Sequence, residues 1–207
     1  STQAREEMMA LNNTSNWQPE STGTGRFGKW LENLNDWNLS RSRYWGTPLP
    51  IWRTEDGQEE ICIGSIAELM EEIEKSIKAG FMTENPFAKH VVGDYSKENY
   101  DPSVIDLHRP YVDYIVLCSP SGKPMKRELD LIDVWFDSGA MPYAQNHYPF
   151  ENQDAPRTAD FISEGVDQTR GWFFTLHAIH TMIEGSVAYK NVISNGLVLD
   201  KNGNKMS

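Results

Sequence analysis

The stretch that decides the fold covers residues 159–199 and reads ADFISEGVDQTRGWFFTLHAIHTMIEGSVAYKNVISNGLVL. It begins with ADFIS (159–163), which predicts a short buried strand, and ends with NVISNGLVL (191–199), which predicts a second strand. Between them we expect a helix from about Gln168 to Glu184, because one face carries Trp172, Leu176, Ile179 and Ile183. A strand, a helix and a strand over about 40 residues form the βαβ unit of a parallel sheet, so the predicted fold class is α/β.

Ligands of such sheets gather at the carboxyl ends of the strands, where residues 163–172 (SEGVDQTRGW) follow the first strand. Glu164 and Asp167 can accept from ammonium or sugar hydroxyl groups, and Gln168 can both donate and accept. Gly165 lets a ligand approach the backbone, and the helix N-terminus favours an anion. Together these groups suit a ligand with an amine, a ribose and a phosphate. The alternative is that Asp167 only caps the helix and Glu164 is solvated.

Three further segments carry weaker signals. In the tail, residues 200–207 (DKNGNKMS), Asn202-Gly203 predicts a tight turn, and a lysine just past it could reach a polyphosphate; the alternative is a solvated tail. In residues 133–139 (DVWFDSG), Trp135 could form the apolar wall of a pocket or simply fill a core. Residues 36–46 (DWNLSRSRYWG) suit cation–π packing, phosphate contact or a structural junction.

Moving outward, residues 1–12 predict a short helix and residues 13–25, rich in Asn, Ser, Thr and Gly, predict a loop. An amphipathic helix should follow, carrying Phe27, Trp30, Leu31 and Leu34 at helical spacing. In the middle of the chain, Ser65 and Glu68 form a capping box before a helix that ends near Gly80. The remaining expectations are an extended segment around Pro48 and Pro50, a strand at 59–63, a long connection at 83–110, and a hairpin formed by 111–118 and 124–130.

Composition restricts the class of protein. The 207 residues carry a net charge of −11, which argues against a free-standing nucleic-acid binder. No apolar run is long enough to span a membrane and no leader pattern begins the chain, so we expect a cytoplasmic protein. The two cysteines cannot form a disulfide framework, and they do not form a Cys-x-x-Cys pair. His177 and His180 are interpreted as packing residues, so no metal site is predicted.

Several segments, taken in order, resemble the class I aminoacyl-tRNA synthetases, most closely the isoleucine group. They are 30–33 (WLEN), 36–52 (DWNLSRSRYWGTPLPIW), 106–113 (DLHRPYVD), 131–143 (LIDVWFDSGAMPY), 161–172 (FISEGVDQTRGW) and 195–207 (NGLVLDKNGNKMS). The valine and leucine groups share the architecture. A synthetase for valine and a non-catalytic binding module descended from a synthetase are therefore the alternatives.

The resemblance implies an architecture. It predicts the second half of a Rossmann-like parallel-sheet catalytic domain with a small mixed α+β insertion. Residues 36–54 and 130–207 would belong to the catalytic domain, and residues 55–129 would form the connective insertion. Residues 1–35 would be the returning stem of an editing insertion.

The resemblance also implies residue roles. Glu164, Gly165, Asp167 and Gln168 match the segment that holds the aminoacyl-adenylate, and Trp135 and Trp172 match residues that line the isoleucine pocket. The positions expected at the ATP are Asn195, Gly196, Leu197, Val198, Lys205, Met206 and Ser207. The last three begin a mobile loop on the ATP phosphates, with Lys205 as its catalytic member.

The implied parent is a monomeric enzyme that joins isoleucine to ATP and then to tRNA(Ile), with Mg²⁺ entering as the ATP complex. The His-x-Gly-His signature, the editing pocket and the second lysine of the phosphate loop are absent from this sequence. We therefore expect the chain alone to be inactive. The cysteine pairs that hold zinc in some relatives are also missing, so no zinc is expected.

Overall fold

The computed structural model describes residues 2–206, which form two compact units. The parallel-sheet unit contains the described residues up to Leu39 and from Val134 onward, and the antiparallel-sheet unit contains Ser40–Asp133. The α-helices are α1 (Arg5–Asn12), α2 (Gly28–Glu32), α3 (Ile66–Lys78), α4 (Val134–Gly139), α5 (Met141–Ala144) and α6 (Trp172–Glu184). The strands are β1 (Asn16–Gln18), β2 (Ser40–Arg41), β3 (Ile51–Thr54), β4 (Glu60–Cys62), β5 (Val116–Cys118), β6 (Pro124–Arg127), β7 (Leu131–Ile132), β8 (Ala159–Gly165) and β9 (Tyr189–Asn195).

The βαβ unit predicted for residues 159–199 is confirmed. Strands β8 and β9 run parallel, with Ile162 beside Val192, and α6 connects them. The first strand is longer and less buried than predicted, since Ile162 is buried whereas Phe161 is 56% exposed. The second strand ends at Asn195, so the strand prediction for residues 196–199 was wrong. The α/β class follows from this parallel sheet together with its crossover helix.

The loop predicted for residues 13–25 was wrong in two places. Residues Asn16–Gln18 form β1, which pairs in parallel with β9 and completes the sheet order β1-β9-β8. Residues Thr22–Phe27 form a π-helix that leads into α2. Tertiary contacts explain the strand, because Trp17 is buried against Phe27 and Phe173 with ring centroids 5.1 and 5.5 Å away.

Helix α6 forms the centre of this unit and is buried on more than one face. The single apolar stripe predicted for it was wrong, because Ile183 is 57% exposed while Phe173, Phe174 and Ala178 on other faces are buried. The core joins α6 to all three strands of the sheet and to the N-terminal helices. Its buried members are Met8, Trp17, Phe27, Leu31, Leu34, Ile162, Phe173, Phe174, Leu176, Ala178, Ala188, Tyr189 and Val192.

The antiparallel-sheet unit contains a four-stranded sheet in the order β4-β3-β6-β5, onto which α3 packs. The predicted capping box begins α3 as expected: Ser65 accepts from the Glu68 N–H at 3.1 Å, and Glu68 accepts from the Gly64 N–H at 2.6 Å. The predicted strand at 111–118 is shorter, because Tyr111–Tyr114 form a 3-10 helix before β5. The long connection at 83–110 contains no helix or strand among its residues, as predicted.

The boundaries of the two units differ from the domain limits that the resemblance implied. The change of unit falls between Leu39 and Ser40 and between Asp133 and Val134, whereas the expected limits were at 35, 54 and 130. Compactness of a unit does not show which residues belong to a catalytic domain. The assignment of residues to the catalytic domain, the insertion and the stem therefore stays a prediction. Among the described residues, no helix has the length and apolar character needed to cross a membrane.

Candidate active site at the carboxyl ends of β8 and β9

The predicted ligand-binding segment lies where neighbouring parallel strands end together. Gly165 at the end of β8 is aligned with Asn195 at the end of β9, and the Asn195 amide donates to the Ser163 hydroxyl at 2.9 Å. Glu164 is exposed, as the alternative in which its side chain is only solvated also expects. The topology therefore brings Asn195 to the same edge of the sheet as Glu164 and Gly165, which precede it by about 30 residues in the chain.

The turn after β8 is a 3-10 helix, Val166–Arg170, and its side chains fold back on the backbone. A Cβ on Gly165 would lie 2.6 Å from Asp167 Oδ1, so this glycine makes room for the Asp167 carboxylate. That explanation differs from the predicted one, in which Gly165 admits the ligand itself. Thr169, fully buried, donates to the Val166 carbonyl at 2.8 Å and accepts from Arg26 Nε at 3.1 Å, which anchors the turn.

Gln168 begins α6. Its Oε1 accepts from the Trp172 N–H at 2.9 Å, so Gln168, and not Asp167, satisfies an unpaired donor at the helix N-terminus. The alternative in which Asp167 is only a helix cap is therefore wrong. Because Oε1 is already bonded, Gln168 has only its Nε2 group left to bind a ligand. Gln168 Nε2 lies 3.4 Å from Asp167 Oδ2. An ordered carboxylate and an ordered amide donor thus stand side by side at the strand end.

The two tryptophans predicted to line a pocket belong to α4 and α6, which pack closely. Trp172 is half-buried, and its indole N–H donates to the Ser138 carbonyl at 3.1 Å. Trp135 is 42% exposed, and its six-membered ring lies against Gly171. Trp172 packs against the core of this unit, as the core-packing reading expects, and Trp135 lies against Gly171, the residue before Trp172. A pocket role for the two rings stays a prediction.

The tail after β9 is an ordered turn. Leu199 and Lys205 form an antiparallel bridge, and the Met206 N–H donates to the Val198 carbonyl at 3.0 Å. Hydrogen bonds from the Asn204 and Asn202 backbone N–H groups hold the pKa of Asp200 below its usual value. The predicted tight turn at Asn202-Gly203 is confirmed by a φ of 82° at Gly203. Residues 201–206, Lys205 among them, are all exposed, as the solvated-tail alternative expects, so the phosphate role of Lys205 stays a prediction.

The remaining expectations concern the other ATP-site residues and the absence of a metal. Gly196, Leu197 and Val198 follow β9, and Val198 is 73% exposed at the same end of the sheet. Ser207 lies outside the described residues. Between residues 2 and 206, no three His, Cys, Asp or Glu side chains converge as metal ligands. The absence of zinc stays a prediction.

Sequence reasoning missed three members of this site: Gly171, Ser138 and Arg26. Ser138 acts through its backbone carbonyl, which no side-chain pattern reveals. Gly171 belongs to the dense segment 163–172, but the sequence assigns it no role. The close approach that requires a glycine there depends on where α4 packs. Arg26 is 143 positions from Thr169 in the chain, so only the tertiary fold joins them.

The model of the family described as tRNA synthetases class I (I, L, M and V) matches residues 1–207. This chain belongs to the class I tRNA synthetases. Isoleucine–tRNA ligases from Porphyromonas gingivalis and Bacteroides thetaiotaomicron are each 72% identical to it, and the one from Cytophaga hutchinsonii is 68% identical. Each match covers 100% of this chain.

The chain spans only 17–18% of the length of those synthetases. Among solved structures, a LeuRS–tRNA–LeuAMS ternary complex of Agrobacterium radiobacter K84 has 21% sequence identity and a TM-score of 0.48. That match covers 84% of this chain and 21% of the other. The assignment to the synthetase family rests on the sequence matches.

Proposed function

We propose that this chain forms the adenylate-binding half of an isoleucine–tRNA ligase, a longer enzyme that makes isoleucyl-adenylate from isoleucine and ATP and transfers isoleucine to tRNA(Ile). The observation that carries the proposal is the end of β8 and the turn after it: Glu164 is exposed at the strand end, Gln168 contacts both Asp167 and the Trp172 N–H, and Trp135 lies against Gly171. Relatives that are 68–72% identical are named isoleucine–tRNA ligases, which favours isoleucine over valine.

In the proposed site, the carboxylates accept hydrogen bonds from the substrate. Glu164 and Asp167 receive the isoleucine ammonium and the ribose hydroxyls, and the Gln168 Nε2 group donates to an acceptor of the adenylate. Trp135 and Trp172 supply flat apolar walls for the aliphatic side chain. Such walls distinguish isoleucine from valine by only ~1–3 kcal/mol, because the two differ by one methylene group.

The ATP lies along the residues that follow β9. Asn195 to Val198 provide backbone groups near the adenine, while Lys205, Met206 and Ser207 begin the loop over the phosphates. A substrate carboxylate oxygen attacks the α-phosphorus, and pyrophosphate leaves with its magnesium ion. The Lys205 ammonium stabilises negative charge that develops on the phosphates.

The test is isoleucine-dependent exchange of pyrophosphate into ATP by the full-length enzyme. We expect exchange with isoleucine, and a kcat/KM for valine lower by about 10- to 200-fold. The chain of 207 residues alone should give no exchange.

Equal or better exchange with valine would replace the isoleucine assignment with the valine one. No exchange with any amino acid would favour a non-catalytic binding module. Turnover by the isolated chain would contradict the view that half of the ATP site lies elsewhere in the longer protein.

A further inference from the structure

Gly171, at the junction of the 3-10 turn and α6, is in contact with two of the proposed site residues at once. A Cβ at this position would lie 2.6 Å from Gln168 Oε1 and 3.1 Å from Cη2 of Trp135. Both distances are shorter than the ~3.5–4.0 Å of ordinary contact between heavy atoms. The Gln168 amide and the Trp135 ring therefore keep their places only while residue 171 has no side chain.

Each neighbour belongs to a further contact that a shift would disturb. Gln168 Oε1 is fixed by its hydrogen bond from the Trp172 N–H. Trp135 is carried by α4, which approaches α6 closely at Gly139: a Cβ there would lie 2.9 Å from the Thr175 carbonyl carbon. Because that carbon is α6 backbone, α4 has little room to approach α6 further.

We propose that Gly171 is a positioning residue for amino-acid selection, which sets the Trp135 wall of the side-chain pocket and the Gln168 amide together. This inference rests on the proposed function, since it assigns Trp135 and Gln168 to one substrate. Gly171 does not touch the substrate. It fixes the distance between the Trp135 ring, which contacts the aliphatic side chain, and the Gln168 amide, which donates to the adenylate.

The test is Gly171→Ala in the full-length enzyme, measured by ATP–pyrophosphate exchange. Misplacing site groups by up to an ångström costs on the order of 100-fold, so we expect the kcat/KM for isoleucine to fall by about 10- to 100-fold. The KM for ATP should change by less than about twofold, because the residues after β9 are untouched. The ratio of isoleucine to valine activation should fall as well, since a displaced wall affects the larger side chain more.

Gly25→Ala is the matched control. Gly25 lies in the same unit and a Cβ there meets nothing within 4 Å, so exchange should equal that of the wild type. A general effect of replacing glycine would impair both variants equally, and that result would overturn the inference.

A double-mutant cycle with Trp135→Phe identifies the contact. Phenylalanine lacks the outer indole ring whose edge faces Gly171, so Gly171→Ala should cost at least about threefold less in that background. Additive effects would overturn the inference. If Gly171→Ala alone fails to fold, recovery of folding with Trp135→Phe supports the contact, and failure in both backgrounds contradicts it.

The wild-type enzyme separates the two claims. Isoleucine exchange by the wild type together with unchanged kinetics in Gly171→Ala overturns the positioning role and leaves the proposed function standing. If the wild type does not activate isoleucine, both fail together.

Discussion

The two units differ in one feature of their buried polar side chains. The parallel-sheet unit buries neutral histidines in its central helix, whereas the antiparallel-sheet unit buries a charged arginine with a carboxylate partner. Each unit should therefore be destabilised in its own way. Acid should loosen the parallel-sheet unit by charging its histidines, and loss of one ion-pair partner should disrupt the antiparallel-sheet unit by leaving an unpaired buried charge.

In the parallel-sheet unit, His177 is fully buried, and its Nε2 donates to the Met8 carbonyl at 2.7 Å. Burial lowers the pKa of His177 from 6.5 to about 4. Its Nδ1 finds no partner among the described residues. His180 bonds Tyr143 and Thr158, and burial lowers its pKa as well. Both rings were predicted to be satisfied packing residues; their burial confirms the packing, but the Nδ1 of His177, unpartnered within residues 2–206, shows that this ring is not fully satisfied.

In the antiparallel-sheet unit, Arg127 is nearly fully buried and pairs with Asp113. Its guanidinium also donates to the carbonyls of Leu49 and Asp130, each at 3.2 Å. Burial alone would raise the pKa of Asp113, but hydrogen bonds from Arg109 and Arg127 outweigh it and hold that pKa below its usual value. One arginine thus ties β6 to the chain on both sides of it.

The largest effect on the comparison should come from Arg127→Met. Removing the guanidinium leaves Asp113 with Arg109 as its partner and takes a donor from the Leu49 and Asp130 carbonyls, which costs about 3–5 kcal/mol. Hydrogen exchange measured by mass spectrometry on the full-length enzyme should show faster exchange in β3, β5 and β6, with α6 unchanged.

Arg53→Met is the control for that experiment. Arg53 is 43% exposed in its pair with Glu60, so its loss should cost less than about 1 kcal/mol. Equal exchange in the two variants would show that Arg127 does not hold the antiparallel-sheet unit together.

A smaller effect should follow from acid. Because the folded state lowers the pKa of His177, the unfolded state binds more protons between pH 6.5 and about 4. The contribution of neutral His177 to the free energy of unfolding is fully present above pH 6.5. It is lost as pH falls to about 4, on the order of 3 kcal/mol in total. Corrected for intrinsic rates, hydrogen exchange in α6 should accelerate over this range before exchange in β6 does.

His177→Gln should remove most of that pH dependence, whereas His147→Gln, at an exposed ring, should leave it unchanged. If α6 keeps its protection down to pH 4 in the wild type, the neutral-histidine description of this unit is wrong.

The sequence predicted most reliably the elements whose signals are local. Helix α3 has its apolar face and its capping box within 13 residues, and the βαβ unit has two apolar strands around an apolar helix. Strand β1 was missed because three residues with one apolar side chain carry no period. It becomes a strand only because β9, about 170 residues later, offers an edge and a place for Trp17.

The site divides in the same way. Residue types alone indicated Glu164, Asp167 and Gln168 as polar groups at a strand end. The Gln168 cap on the Trp172 N–H is a local contact over four residues, but that Gly171 accommodates Trp135 depends on the packing of α4 against α6, which spacing does not encode. The pocket role of Trp135 and Trp172 came from the resemblance and stays a prediction; the structure joins the Trp172 N–H to Gln168 and places Trp135 against Gly171.

Binding of a non-hydrolysable sulfamoyl analogue of isoleucyl-adenylate to the full-length enzyme tests the central claim most directly. Titration calorimetry should show that Glu164→Ala weakens binding at least about tenfold, because a hydrogen bond to a charged group contributes about 1.5–3 kcal/mol. Asp160→Ala, which removes an exposed carboxylate from the opposite end of β8, should bind the analogue like the wild type. Equal affinity in the wild type and Glu164→Ala would contradict the assignment of the adenylate site to this strand end.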